Sequence, residues 1–98
     1  MSIVLVGGHD RMHREYKEIG KACGHRVKVF TQLTAQFAKS IGTPDAILIF
    51  TSTLSHKMLL IAEREAQRKN IPVVKCHTSS GMALKRSLQE AEQLAGTM

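Results

Sequence analysis

The chain has 98 residues, 43% of them hydrophobic and 22% charged, the proportions of one globular domain and not of a disordered segment. Fourteen Lys and Arg against eight Asp and Glu give a formal net charge of +6, a balance that favours an anionic partner. Aromatic residues at 4%, with no Trp, leave few rings to stack on a flavin or on nucleic-acid bases.

Cys23 and Cys76 lie far apart and form no CxxC pair, as in a protein whose thiols stay reduced. The opening apolar run Ile3-Val4-Leu5-Val6 is too short for a signal-peptide core, and no stretch approaches membrane-spanning length. A cytoplasmic protein is expected.

Ser2 to Val6 is a continuous β-branched run stopped by Gly7-Gly8, the pattern of a strand buried on both faces. Met12, Tyr16, Ile19 and Cys23 then mark one face of a helix, with Asp10 as its cap and Gly24 after its end. His25 to Phe30 alternates, with Val27 and Val29 on one face and Arg26 and Lys28 on the other, which reads as an edge strand. Leu33, Phe37 and Ile41 predict a second helix, closed by Gly42 and Pro44. Ala46 to Phe50 is again wholly apolar and should be central.

A third helix is predicted over Ser55 to Lys69, on Met58, Leu59, Ala62 and Ala66. Pro72 opens a last short strand, Val73 to Cys76, and Leu84, Leu88, Ala91 and Ala95 stripe a final helix. The alternation βαβαβαβα calls for an α/β fold, a Rossmann-like or flavodoxin-like parallel sheet in a single domain over 1–98. Two central and two edge strands fit the order 2-1-3-4, and right-handed crossovers place helices on both faces.

In such sheets ligands bind outside the carboxyl ends of the strands, where the strand order reverses. The loops there read Gly7-Gly8-His9-Asp10, Thr51-Ser52-Thr53-Leu54-Ser55-His56 and Cys76-His77-Thr78-Ser79-Ser80-Gly81. Paired glycines allow close approach of a ligand to backbone, and hydroxyls at a helix start suit both N-caps and anions. His9, His56 and His77 are candidate ligand contacts, with Gly7, Gly8, Thr51, Ser52, Ser55, Ser79, Ser80 and Gly81 completing the set. Lys57, Lys75, Lys85 and Arg86 are expected in or near this mouth. His25 and Asn70 fall at the opposite end, among turn residues.

No GxxxxGK[ST] phosphate loop, GxGxxG fingerprint or GxSxG elbow is present. His9 and His13 are spaced for a metal, but neighbouring ligands are few and no metal is assigned. A phosphatase-like Cys76 would want Arg where Met82 stands, so a structural thiol is expected.

Gly7-Gly8-His9 after the first strand, Ser55-His56 after the third and Ser79-Ser80-Gly81 before a Leu-rich helix are similar to an uncharacterised bacterial family, domain of unknown function 2325. The resemblance covers nearly the whole chain. It implies a Rossmann-like domain and directs attention to Gly7, Gly8, His9, Ser55, His56 and Ser80, while bringing no cofactor or catalytic residue with it.

The expected function is a binding or regulatory domain for an anionic small molecule, a nucleotide or phosphorylated metabolite. The alternatives are a His-dependent enzyme acting on a phosphoryl or glycosyl bond and a nucleic-acid or protein interaction module. A homodimer is expected, paired through Val73 to Cys76 with Leu84, Leu88, Ala91 and Leu94 as an apolar patch. Such pairing would bring two copies of the Ser79-Ser80-Gly81 loop together.

Overall fold

Four parallel strands, β1 (Ser2–Val6), β2 (Arg26–Phe30), β3 (Ala46–Phe50) and β4 (Val73–Cys76), form one sheet in the order β2-β1-β3-β4. The computed structural model describes residues 1–96, so residues 97 and 98 of the expected domain lie outside the described ones. β3 is buried at every position because β1 and β4 flank it and helices cover both its faces. β2 alternates exposed Arg26 and Lys28 with buried Val27 and Val29, as an edge strand covered on one face should.

The helices are α1 (His13–Ala22), α2 (Phe37–Ile41), α3 (His56–Lys69) and α4 (Gly81–Gly96), with a 3-10 turn at Asp10–Met12 leading into α1. Period-two side chains sort the core into two layers. Ile3, Leu5, Leu48, Phe50 and Val74 meet Tyr16 of α1 and Leu84, Leu88 and Ala91 of α4. On the other face Val4, Val6, Ile47 and Ile49 meet Phe37 and Ile41 of α2 and Met58, Ala62 and Ala66 of α3. This α/β architecture is the one the alternation predicts, helices on both faces included.

Three local expectations fail, each for a visible reason. Asp10 caps no helix; its carboxylate accepts hydrogen bonds from Thr31 Oγ1 and, at 2.7 Å, from Gln32 Nε2. Those bonds tether the segment after β2 to the β1–α1 loop, so α2 starts only at Phe37 and Leu33 stays 38% exposed. Cys23 lies past the end of α1 and is exposed, although it continues the apolar spacing.

The stripe of α4 does not form an outward patch. Leu84, Leu88 and Ala91 are at most 1% exposed because they pack on the sheet, which corrects their assignment to a dimer surface, whereas Leu94 of that set is 50% exposed. On α3, Glu65 is nearly enclosed and receives Arg68 at 2.8 Å and Lys69 at 3.3 Å. The Arg68 hydrogen bond, ahead of the opposing effect of burial and the help of Lys69, holds the Glu65 carboxyl below the usual range. Among the described residues, no helix is long and apolar enough to cross a membrane.

Candidate functional site

Parallel strands β1, β3 and β4 end side by side, so the loops that follow them share one end of the sheet. The backbone there is fixed first by two glycines. Gly7 and Gly8 have φ of +101° and +94°, a region that disfavours side chains. A Cβ on Gly7 would stand 2.7 Å from the Phe50 carbonyl, and one on Gly8 would stand 2.7 Å from the Tyr16 ring. Their own neighbours therefore require these glycines, whatever ligand approaches.

A hydrogen-bonded clasp then joins the three loops. Thr53 Oγ1 accepts the Gly8 N–H at 2.7 Å and lies 2.8 Å from Ser79 Oγ. Tyr16, fully buried, donates its hydroxyl to the Ser79 carbonyl at 2.6 Å and accepts the His9 N–H at 3.3 Å. The Gly7 N–H is also committed, to the Phe30 carbonyl at 2.8 Å. The β1 loop thus presents no free amide at Gly7, Gly8 or His9.

Several candidate contacts are accounted for by the same local chemistry. Ser55 caps α3 through the Met58 N–H at 3.2 Å, and Ser80 accepts the Ala83 N–H at 3.1 Å in the first turn of α4. Thr51 Oγ1 sits 3.5 Å from the Cys76 carbonyl, and Ser79 is buried within the clasp. Gly81 lets Ile19 approach, since a Cβ there would be 2.9 Å from its Cδ1. The remaining four, His9, Ser52, His56 and His77, are exposed, and no hydrogen bond engages their side chains among the described residues.

At the same end of the sheet α3 and α4 begin, and their first N–H groups have no partner within the helix. His56, Lys57, Gly81 and Met82 supply these amides, and no carboxylate stands in either first turn. Lys57 also borders a groove of about 340 Å³ with Leu33, Thr34, Ala35 and Ile61. Two expected cations are elsewhere: Lys75 pairs with Glu63, and Arg86 faces the outer edge of β4 next to Glu90. Their side chains answer to the sheet edge and not to the mouth.

Asp10 is the carboxylate adjacent to this end. Hydrogen bonds from Thr31 first and Gln32 second hold it ionised below the usual range, and no imidazole of the mouth is oriented by it. His13, four residues beyond His9, places Nε2 3.2 Å from the Val29 carbonyl. Among the described residues, no three His, Cys, Asp or Glu gather closely enough to hold a metal ion. At the opposite end His25 is enclosed, with Nδ1 3.0 Å from the Met1 amine and Nε2 3.4 Å from Glu92.

The clasp residues Thr53 and Tyr16 were not among the predicted site residues. Tyr16 carried a usable signal: a tyrosine on the apolar stripe of a helix needs a partner for its hydroxyl once buried. Thr53 stood among hydroxyls too numerous to separate by sequence.

The fold is also that of the lactose-specific IIB component domain of the phosphoenolpyruvate:carbohydrate phosphotransferase system from Streptococcus pneumoniae, at a TM-score of 0.52 and 14% identity over 96% of this chain and 92% of that one. Likeness at that identity extends to the fold alone. No curated protein matches the chain. A family model described as "Uncharacterized protein conserved in bacteria (DUF2325)" matches residues 2–91, and the chain belongs to that family.

Proposed function

We propose that the chain is a cytoplasmic binding domain, a sensor or regulator, that takes a phosphate-bearing anion such as a nucleotide or phosphorylated metabolite at the carboxyl ends of β1, β3 and β4. The observation that carries this reading is the contrast at the mouth. Most polar groups there are consumed by the clasp and the caps, whereas His9, Ser52, His56 and His77 remain exposed on the loops at the end of the sheet where α3 and α4 begin. Partial positive charge from the unpaired N–H groups, together with Lys57 and imidazoles that can donate, favours an anion there. The +6 net charge raises the local concentration of such ligands.

Catalysis by a histidine finds less support, because Asp10 is engaged by Thr31 and Gln32 and orients no imidazole of the mouth. The test is the thermal midpoint in ATP, in inorganic pyrophosphate and in sodium chloride of matched ionic strength. A ligand at about a hundred times its dissociation constant adds about 2.7 kcal/mol, enough for a rise of roughly ten degrees in a chain of this size. A rise in ATP or pyrophosphate that His56→Ala and Lys57→Ala diminish supports the reading. Equal midpoints in all three solutions refute it.

A further inference from the structure

We propose that two copies of the chain pair antiparallel along β4, joining their sheets across a two-fold axis centred on Val74. The sheet has two open edges, and they are defended unequally. β2 presents Arg26 and Lys28, cations that discourage strand pairing. β4 presents one cation, Lys75, and Glu63 neutralises it. Grooves open on both sides of β4, one of about 570 Å³ between Glu63, Gln67 and Ile71 and the strand, the other of about 180 Å³ beneath Arg86 and Glu90. Neither flanking helix therefore covers the strand's free edge.

Backbone geometry limits the register. The Ile47 N–H bonds to the Pro72 carbonyl, so positions 72, 74 and 76 direct their backbone groups at β3. Val73 and Lys75 direct theirs outward. A two-fold normal to the sheet keeps each face continuous, so facing residues must come from the same face. Of the registers centred on Val73, Val74 or Lys75, the first pairs only Val73 within the strand, which leaves two that pair three of its residues. One sets Lys75 opposite Lys75 of the second copy, where like charges repel. The other sets Val74 opposite Val74, with Val73 and Lys75 exchanging backbone hydrogen bonds on each side of the axis.

The second register also matches the helices. Arg86 and Glu90 are one turn apart on α4, both exposed, and neither has an ion-pair partner among the described residues. A two-fold axis runs the two α4 helices antiparallel, so each Arg86 faces the other copy's Glu90. Self-complementarity of this kind is what an isologous interface requires. The two mouths then point in opposite directions, so each belongs to one chain and the Ser79-Ser80-Gly81 loops are not shared. The pairing is independent of what the mouth binds.

Sedimentation equilibrium of the full chain provides the test, with a dimer of twice 10.8 kDa expected at micromolar concentration. Lys75→Pro removes an outward N–H while leaving the bonds to β3 intact, and should give a folded monomer. Arg86→Glu should raise the dissociation constant about tenfold, and the swap Arg86→Glu with Glu90→Arg should restore it. If Lys75→Pro fails to fold by circular dichroism, the charge swap alone decides. A monomeric parent chain overturns the proposal, as does a dimer indifferent to both Lys75→Pro and Arg86→Glu.

Discussion

Gly8→Ala should destabilise the chain far more than the same change at Gly24, a glycine of positive φ with open space around it. The added Cβ would lie 2.7 Å from Tyr16 Cε2, 2.9 Å from its hydroxyl oxygen and 3.0 Å from Cζ. Tyr16 cannot yield easily, because its ring is fully buried, meets Phe50 edge-on at 5.7 Å between centroids, and donates its hydroxyl to Ser79. Left-handed backbone costs an L-residue roughly 1–2 kcal/mol, and overpacking a closed site adds about 1–3 kcal/mol. The expected loss is therefore about 2–5 kcal/mol, most of the stability of a typical small domain at the upper end. Gly24→Ala supplies the reference: φ there is +83° with nothing within 4 Å of the new Cβ, so only the backbone cost of about 1–2 kcal/mol applies. Urea unfolding of the two variants measures the difference. Equal losses would mean that the Tyr16 ring moves aside freely, and the rigid clasp would be refuted.

Thr53→Val keeps the side-chain shape but removes the acceptor of the Gly8 N–H and the partner of Ser79, so urea unfolding should show a loss of about 1–3 kcal/mol, which Thr53→Ser largely recovers. Glu65 has its folded-state pKa depressed by Arg68 and then Lys69, so its stabilisation is present above the unfolded carboxylate pKa and disappears as pH falls through the folded one. The thermal midpoint of Glu65→Gln should accordingly lie below the parent's near neutral pH and converge with it in acid; a constant gap would contradict this. His56 is exposed and its side chain makes no hydrogen bond, so His56→Ala should change stability by less than about 0.5 kcal/mol in the same unfolding assay. A loss of several times that size would make His56 a structural residue and remove it from the binding face.

Where one physical demand dominates, residues and structure agree closely. The apolar runs of β1 and β3 can be satisfied only by burial on both faces, and their bounds coincide with those read from sequence. The alternation of Val27 and Val29 with Arg26 and Lys28 likewise admits one edge position. Asp10 shows the other case, a residue that suits a cap locally but finds stronger donors in Thr31 and Gln32 twenty residues on. Leu33 was lost from α2 for the same reason, since spacing cannot register a tether between loops.

At the mouth, chain order and strand order suffice to bring the three loops to one end. They do not divide the hydroxyls into caps, clasp and free groups, because Ser52, Ser55, Ser79 and Ser80 are chemically alike and differ only in what folds beside them. Tyr16 and Thr53 became the centre of the clasp through tertiary contacts between the α1, β3 and β4 segments. The apolar stripe of α4 was legible as a stripe, and its partner, the chain's own sheet, was not.

Amide-resolved NMR during titration with inorganic pyrophosphate, at constant ionic strength, tests the binding site most directly. Saturable shifts concentrated at His9, Ser52, His56, Lys57, Gly81 and Met82 are the predicted result. Shifts gathered instead around Lys17, Lys21 and Arg26, the cations that line a groove at the β2 edge, or no saturable shift at all, would contradict it.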